Sequence, residues 1–121
     1  ERDAAEGEKA ETKKIYRVEL GRVDERGFLI KHLVCDLLNI DDSQGLTQAE
    51  KGAVGLGRYY RFPYVTPECL VIIDDHTLLL ANDNNYPMSS GRRPPKTPDD
   101  NEFIRLRLNS PLSSPPPVAV R

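Results

Sequence analysis

Five oxygen-bearing side chains in the second half of the chain could together bind a calcium ion. Calcium takes about six to eight oxygen ligands, and it accepts carboxylates, side-chain amides and backbone carbonyls. One acid begins an apolar run and another follows the next run, so an antiparallel pairing of the two runs would bring both acids to one end of a sheet. The pattern therefore predicts a metal site formed by Glu68, Asn82, Asp83, Asn84 and Asn85.

Residues 82–85 also suit a plain turn. Asn and Asp tolerate left-handed backbone φ and hydrogen-bond their own backbone. The spacing is not that of an EF-hand, which needs a central Gly and a terminal Glu. The sequence leaves both interpretations open, a metal-binding edge or a structural turn.

Two adjacent arginines, Arg92 and Arg93, follow two serines and a glycine. A guanidinium can hold a phosphate through two parallel hydrogen bonds, so this segment predicts a phosphate-binding loop. A solvated loop or a processing site would have the same composition. The acids that follow, Asp99, Asp100 and Glu102, could add ligands or a general base, although we favour a charged turn before a strand.

Residues suited to covalent catalysis are not arranged for it. No serine lies in a nucleophile-elbow pattern, and neither histidine has a triad setting. His32 falls in a predicted strand and His76 in a predicted turn, so neither is assigned to catalysis, and the catalytic residues stay unassigned. Cys35 and Cys69 both fall in strands, where they could pair in a secreted chain or remain free thiols.

The elements that would position these side chains are strands. β-Branched and aromatic residues recur in short runs separated by Gly, Pro, Asn and Asp, which is typical of hairpins. In the second run, leucines at helical spacing give a short helix as the alternative. The chain is therefore predicted to be all-β, with antiparallel strands over residues 14–20, 28–38, 68–74, 77–81 and 102–108.

The hairpin made by residues 68–74 and 77–81 is nearly continuously apolar. Such runs are typical of strands covered on both faces. Before it, residues 43–67 form a long connection that contains four glycines and four aromatic residues, for which local core packing is the safer interpretation. These faces exceed what one small sheet can cover, so we expect partner sheets from elsewhere.

The two ends differ in composition from the middle of the chain. Residues 1–13 are charged, with only alanine as apolar content, and they predict a flexible N-terminal segment. Residues 109–121 are proline-rich and predict an extended polyproline II tail. The middle, residues 14–108, is a small unit with a marginal core. The chain is therefore expected to be a piece of something larger.

Charge and hydropathy exclude some classes of protein. The 121 residues include 17 Lys and Arg against 19 Asp and Glu, a net charge of −2. This balance argues against general nucleic-acid binding, which needs a basic stripe. No apolar run reaches about 18 residues, so no transmembrane helix is predicted. The charged N-terminus is no signal peptide, and such a peptide would lie on a longer precursor.

Four blocks of sequence carry a family resemblance. They are Phe62-Pro-Tyr-Val-Thr-Pro-Glu68, Leu78-Leu-Leu-Ala-Asn-Asp-Asn-Asn-Tyr-Pro87, Ser90-Gly-Arg92 and Pro98-Asp-Asp-Asn-Glu-Phe-Ile104. With residues 31–42 they resemble the C-terminal part of the phytase-like family ("esterase-like activity of phytase"), over residues 14–108. The second and fourth blocks are specific in combination. The chain departs from that family's pattern at Pro67 and Cys69, on either side of the acid.

The resemblance implies a secreted or periplasmic β-propeller, with this chain as its last one or two blades. It implies a calcium-assisted hydrolase of phosphate or other esters, acting on a small molecule and completed by the remaining blades of the same propeller. The isolated chain is then expected to be inactive. Because fold does not fix function, the alternative is a non-catalytic extracytoplasmic propeller that serves as a binding scaffold.

Overall fold

A computed structural model of the chain describes residues 1–48, 50–94 and 97–114. All the strands formed by these residues pair in an antiparallel manner, so the all-β prediction is confirmed. The second run is a strand, and the helix alternative for it is wrong. The strands are β1 (Lys14–Val23), β2 (Leu29–Asp36), β3 (Ile40–Asp41), β4 (Tyr59–Tyr60), β5 (Thr66–Asp74), β6 (Thr77–Asp83) and β7 (Phe103–Arg107).

The described strands form three separate sheets. β1 pairs with β2, β3 pairs with β4, and the third sheet has the order β5-β6-β7. In that third sheet Leu80 of β6 lies between Leu70 and Ile104, and Leu78 lies between Ile72 and Leu106. None of the sheets formed by these residues closes on itself.

The β1–β2 hairpin reverses at the predicted turn. Gly27 has a φ of 84°, a conformation that L side chains rarely adopt. The Asp24 carboxylate accepts hydrogen bonds from the backbone N–H groups of Arg26 and Phe28, both at 2.9 Å. Turn chemistry of this kind is local, which explains why the sequence predicts it well.

Strands β3 and β4 lie where the sequence predicts a turn and a long connection. Ile40 pairs with Tyr60 and Asp41 with Tyr59, and the Asp42 N–H donates to the Arg58 carbonyl at 2.8 Å. Two-residue strands are too short to produce a period in the sequence. Their pairing nevertheless brings the aromatic segment after Tyr59 back against β2.

The core lies on one face of the β5-β6-β7 sheet, over β6 and β7. Phe62 and Tyr64 pack edge to face with ring centroids 4.8 Å apart. With the burial of Tyr60 this confirms core packing for three of the four aromatic residues, whereas Tyr59 is 53% exposed. Each large apolar side chain buried here contributes about 1.5–3 kcal/mol. The buried members are Leu37, Tyr60, Phe62, Tyr64, Leu78, Leu80, Leu106 and Leu108.

Strand β5 differs from the expectation that both hairpin strands are covered. β6 is mostly buried, as predicted, whereas residues 68–74 of β5 are all exposed. Leu70, Val71, Ile72 and Ile73 retain 48%, 45%, 66% and 50% of their surface. The apolar pattern of β5 thus has no covering layer among the described residues.

Residues 1–13 make specific contacts, although their composition predicts a flexible segment. Lys13 is fully buried, and its ammonium group contacts the Asp3 carboxylate at 2.8 Å. The same group donates to the carbonyls of Asp3 and Ala5 at 2.7 and 2.9 Å. The Gly7 N–H donates to the Pro63 carbonyl at 2.9 Å, which joins the segment to the core. Composition cannot show such satisfied burial of a charge.

The start of the predicted C-terminal tail packs beside the β5–β6 turn. The Leu112 N–H donates to the Asp75 carbonyl at 2.8 Å, and Arg17 donates to the Ser114 carbonyl at 2.7 Å. The rest of the tail, residues 115–121, lies outside the described residues. Over the ranges that are described, no helix is long and apolar enough to cross a membrane.

Candidate functional site

The predicted metal ligands lie at one end of the β5–β6 pair. Thr66 is opposite Asp83 and Pro67 is opposite Asn82, while Glu68 occupies the irregularity that follows Pro67. Glu68 and Asp83 therefore lie at the same end of the sheet, as their positions in the sequence predict. Both residues are exposed to solvent.

Asn82 is committed to the fold. It is 5% exposed, and its amide oxygen accepts a hydrogen bond from the Glu102 N–H at 2.7 Å. Its amide nitrogen donates to the Asp100 carbonyl at 3.2 Å. The Asn82 amide therefore holds the segment before β7 against β6. Breaking either hydrogen bond would leave a buried polar group unsatisfied, which is costly.

Residues 83–88 form a compact turn. The Asp83 carboxylate accepts from the Asn85 N–H at 3.3 Å, and the Asn84 amide oxygen accepts from the Tyr86 N–H at 3.1 Å. Asn85 has a φ of 47°, and its amide donates to the Thr66 hydroxyl. These are the local hydrogen bonds that Asx turns make. The geometry thus matches the turn interpretation of this segment.

The fit to calcium can be tested on these contacts. The Asn82 and Asn84 amide oxygens already accept backbone hydrogen bonds, whereas the Asn85 amide only donates, through its nitrogen. The Glu68 and Asp83 carboxylates and the Asn85 amide oxygen are therefore the predicted ligands that stay available. Nowhere in residues 1–48, 50–94 or 97–114 do three or more His, Cys, Asp or Glu side chains gather in a metal-binding group. Three of the five predicted side chains are thus available, fewer than the six or so oxygen ligands that calcium prefers.

Arg92 lies at the centre of a buried polar cluster. Its Nε and Nη2 donate to the two carboxylate oxygens of Glu102 at 3.2 and 2.6 Å, and Nη2 also donates to the Tyr60 hydroxyl at 2.9 Å. Its Nη1 donates to the carbonyls of Val54 and Arg61. Because a guanidinium has five N–H donors, none remains for a phosphate.

Glu102 is held ionised within this cluster. Burial acts to raise the pKa of its carboxyl, but hydrogen bonds from Arg92, Tyr60 and Tyr64 outweigh burial and lower the pKa below its ordinary value. Burial, together with the Glu102 charge, raises the pKa values of Tyr60 and Tyr64, so both phenols stay protonated and donate to the carboxylate. The Tyr64 hydroxyl does so at 2.7 Å. In this cluster the positive charge of Arg92 and the negative charge of Glu102 pair with each other inside the fold.

Asp99 organises the loop that presents Arg92. Its carboxylate accepts from the N–H groups of Gly91 and Arg92 at 2.8 and 3.1 Å and from the Ser89 hydroxyl at 3.0 Å. A Cβ at Gly91 would lie 2.6 Å from the Pro63 carbonyl oxygen, so only glycine fits there. Asp99 is 3% exposed and acts as a structural anchor.

Arg93 points away from its neighbour. It forms ion pairs with Asp100 and, at 3.7 Å, with Glu50. Its side chain is 33% exposed, against 6% for that of Arg92. The two arginines therefore do not converge on one anion, and Arg93 alone faces solvent.

A groove of about 1180 Å³ runs between β2, the β3 segment and residues 106–114. Its walls include Arg17, His32, Cys35 and Asp41. Burial raises the pKa of the Cys35 thiol to about 11, so this thiol is not a nucleophile at neutral pH. Cys35 and Cys69 are both free thiols. Sequence reasoning missed this groove because its walls come from segments far apart in the chain.

The chain has no match in the three comparisons made with known proteins. No family model, no curated protein and no solved structure is similar to it at the level required for a match.

Proposed function

We propose that this chain is the C-terminal portion of a secreted or periplasmic phytase-like β-propeller, in which it contributes the last one or two blades. The observation that carries this proposal is the exposed apolar strand β5, whose residues 69–73 have the composition of a buried strand. Propeller blades bury such faces against their neighbours. The antiparallel three-stranded sheet and the resemblance of residues 14–108 to that family support the same proposal.

The activity we propose for the parent protein is calcium-assisted hydrolysis of a phosphate ester or another ester. Among the described residues, the predicted ligands Glu68, Asp83 and Asn85 stay available, so the other ligands would have to come from the remaining blades. Arg92 is fully occupied by internal partners. Arg93 is the more exposed arginine, and it would exchange its ion pairs with Asp100 and Glu50 for an anionic group of the substrate. The isolated chain is expected to be inactive.

A specific observation favours a second candidate, a non-catalytic propeller that acts as a binding scaffold. Five of the ten side chains that suggested chemistry, namely Asn82, Asn84, Arg92, Asp99 and Glu102, are bonded within the fold. A chain whose polar residues serve packing suits a scaffold better than a catalyst.

Calcium titration discriminates between these candidates. Calorimetry is run on the longer propeller that the proposal assigns to this chain, on its Asp83→Ala variant and on its Glu25→Ala variant, a control that removes an exposed acid from the distant β1–β2 turn. Binding at about micromolar concentration that is lost only in Asp83→Ala supports the metal site and the hydrolase. A folded propeller, verified by circular dichroism, that binds no calcium supports the scaffold.

A further inference from the structure

The outer edge of β5 is open. β5 pairs with β6 on one side, and on the other side the backbone of residues 67–73 makes no hydrogen bond to any of the described residues. An unpaired row of N–H and C=O groups is a template for another strand. Proteins blunt such edges with lysine, proline or short length. β5 has nine residues and no lysine, and its one proline, Pro67, lies near its start.

Both faces of β5 are apolar at this edge. Leu70 and Ile72 lie on the face that carries Leu80 and Leu78 of β6, while Val71 lies on the opposite face with Leu79. The core covers Leu78 and Leu80, which are 2% and 3% exposed, but it ends before it reaches β5. Apolar side chains on both faces are typical of a central strand. β5, by contrast, is an edge strand of the sheet that the described residues form.

Charge distinguishes between the candidate occupants of this edge. The antiparallel self-pairing that overlaps all of residues 69–73 centres on Val71 and sets Leu70 against Ile72. It also sets Glu68 of each copy against Asp74 of the other. Like charges directly opposite each other destabilise a strand pair. A second copy of this chain is therefore disfavoured, and a strand with basic ends is favoured.

We propose that the outer edge of β5 receives a strand from another part of the parent polypeptide, apolar at its centre and basic at its ends. The added strand extends the sheet through backbone hydrogen bonds, and its side chains meet Leu70, Val71 and Ile72. Its basic ends pair with Glu68 and Asp74. This inference rests on the part of the proposed function that makes the chain a piece of a larger all-β protein.

The test uses a synthetic peptide of alternating valine and threonine, as long as β5, with one lysine at each end. A matched peptide carries glutamate at each end. Titrations are run in EDTA, so calcium at Glu68 plays no part, and hydrogen exchange of the β5 amides reports where the peptide binds. We expect the lysine peptide to protect β5 amides and to bind at least about tenfold more tightly than the glutamate peptide.

Three variants of the chain show whether the peptide binds at the edge of β5 and whether charge sets its preference. Ile72→Lys places a charge on the exposed edge and should weaken binding of the lysine peptide at least about tenfold. Val18→Lys makes the same kind of change on exposed β1, at a side chain that is 43% exposed, and should leave binding unchanged. Glu68→Lys leaves a base at one end of β5 and Asp74 at the other, so it should abolish the preference between the two peptides. All three positions are exposed, so the variants should fold, which circular dichroism verifies.

Several outcomes would overturn the proposal. These are no binding of the lysine peptide, protection of amides outside β5, equal binding of the two peptides, or a dimer of the chain that Ile72→Lys abolishes. The last result would assign the edge to a second copy. Calcium binding by the longer propeller without peptide binding by this chain overturns this inference alone, whereas peptide binding by this chain without calcium binding by the longer propeller overturns only the hydrolase.

Discussion

The ion pair between Arg92 and Glu102 lies at the inner end of the loop before β7, with side chains 6% and 28% exposed. Removing such charges from water is costly, and the cost is offset only when every remaining donor and acceptor is bonded. The Tyr60 and Tyr64 hydroxyls donate further hydrogen bonds to the Glu102 carboxylate, and backbone carbonyls accept those that remain on the Arg92 guanidinium. At the scale of single residues, this cluster explains why an arginine that suggests phosphate binding serves the fold.

Replacing Glu102 by glutamine tests this role. Glu102→Gln leaves the buried Arg92 charge without its partner, and we expect the free energy of unfolding to fall by about 1.5–3 kcal/mol. The matched control Asp100→Asn breaks the exposed pair with Arg93 and should cost at most about 1 kcal/mol. Urea unfolding followed by circular dichroism measures both values. Equal costs would contradict the structural role of the cluster.

At the scale of elements, a carboxylate and a glycine shape the loop of residues 89–92. The Asp99 carboxylate accepts hydrogen bonds from the backbone N–H groups of Gly91 and Arg92. Gly91 lies so close to the Pro63 carbonyl that a side chain has no room. Gly7 donates to that same carbonyl. One short segment therefore joins the N-terminal residues, the aromatic segment and the Arg92 cluster.

A methyl group at this contact should disrupt it. Gly91→Ala places a Cβ 2.6 Å from a backbone oxygen, and one of the two segments must move. We expect a loss of about 1–3 kcal/mol of stability. Ser90→Ala, a change of similar size at the neighbouring position, should cost under about 0.5 kcal/mol. Thermal unfolding of the two variants compares them, and a Gly91→Ala chain as stable as Ser90→Ala would refute the close contact.

At the scale of the whole molecule, the core and the exposed apolar surface are unevenly distributed. The interior is built on β6, β7 and the aromatic segment, whereas β5 and the β1–β2 hairpin expose large apolar side chains. Exposed apolar surface of this kind is typical of interaction surfaces. In these two elements the most exposed large apolar side chains are Leu20, Phe28, Ile72 and Leu33.

Two alanine substitutions measure this asymmetry. Leu78→Ala removes a side chain that is 2% exposed and should cost about 2–5 kcal/mol. Ile72→Ala, at its cross-strand partner, should cost under about 1 kcal/mol in this chain, because Ile72 is 66% exposed. In the longer propeller that we propose, the cost at Ile72 should rise toward that at Leu78. A similar large cost at both positions in this chain alone would show that β5 is already covered.

Local chemistry in the sequence was enough to determine the five longer strands, the turn at Gly27, the β5–β6 hairpin and the placement of Glu68 and Asp83 at one end of it. These features depend on side-chain alternation, turn residues and chain direction, which act over a few residues. The roles of Asn82 and Arg92 depend on partners as far as 20 and 38 residues away in the chain. Those of Asp99 and Lys13 depend on partners seven to ten residues away, which only the folded loops bring into contact.

Only the tertiary structure could decide those roles. An arginine beside serines and a glycine has the same local sequence whether its guanidinium faces solvent or a buried glutamate. What separates the two cases is whether β4, the aromatic segment and the start of β7 meet around it. Burial raises the free-energy cost of every unpaired charge, so once these elements meet, Arg92 and Glu102 must satisfy each other rather than a ligand.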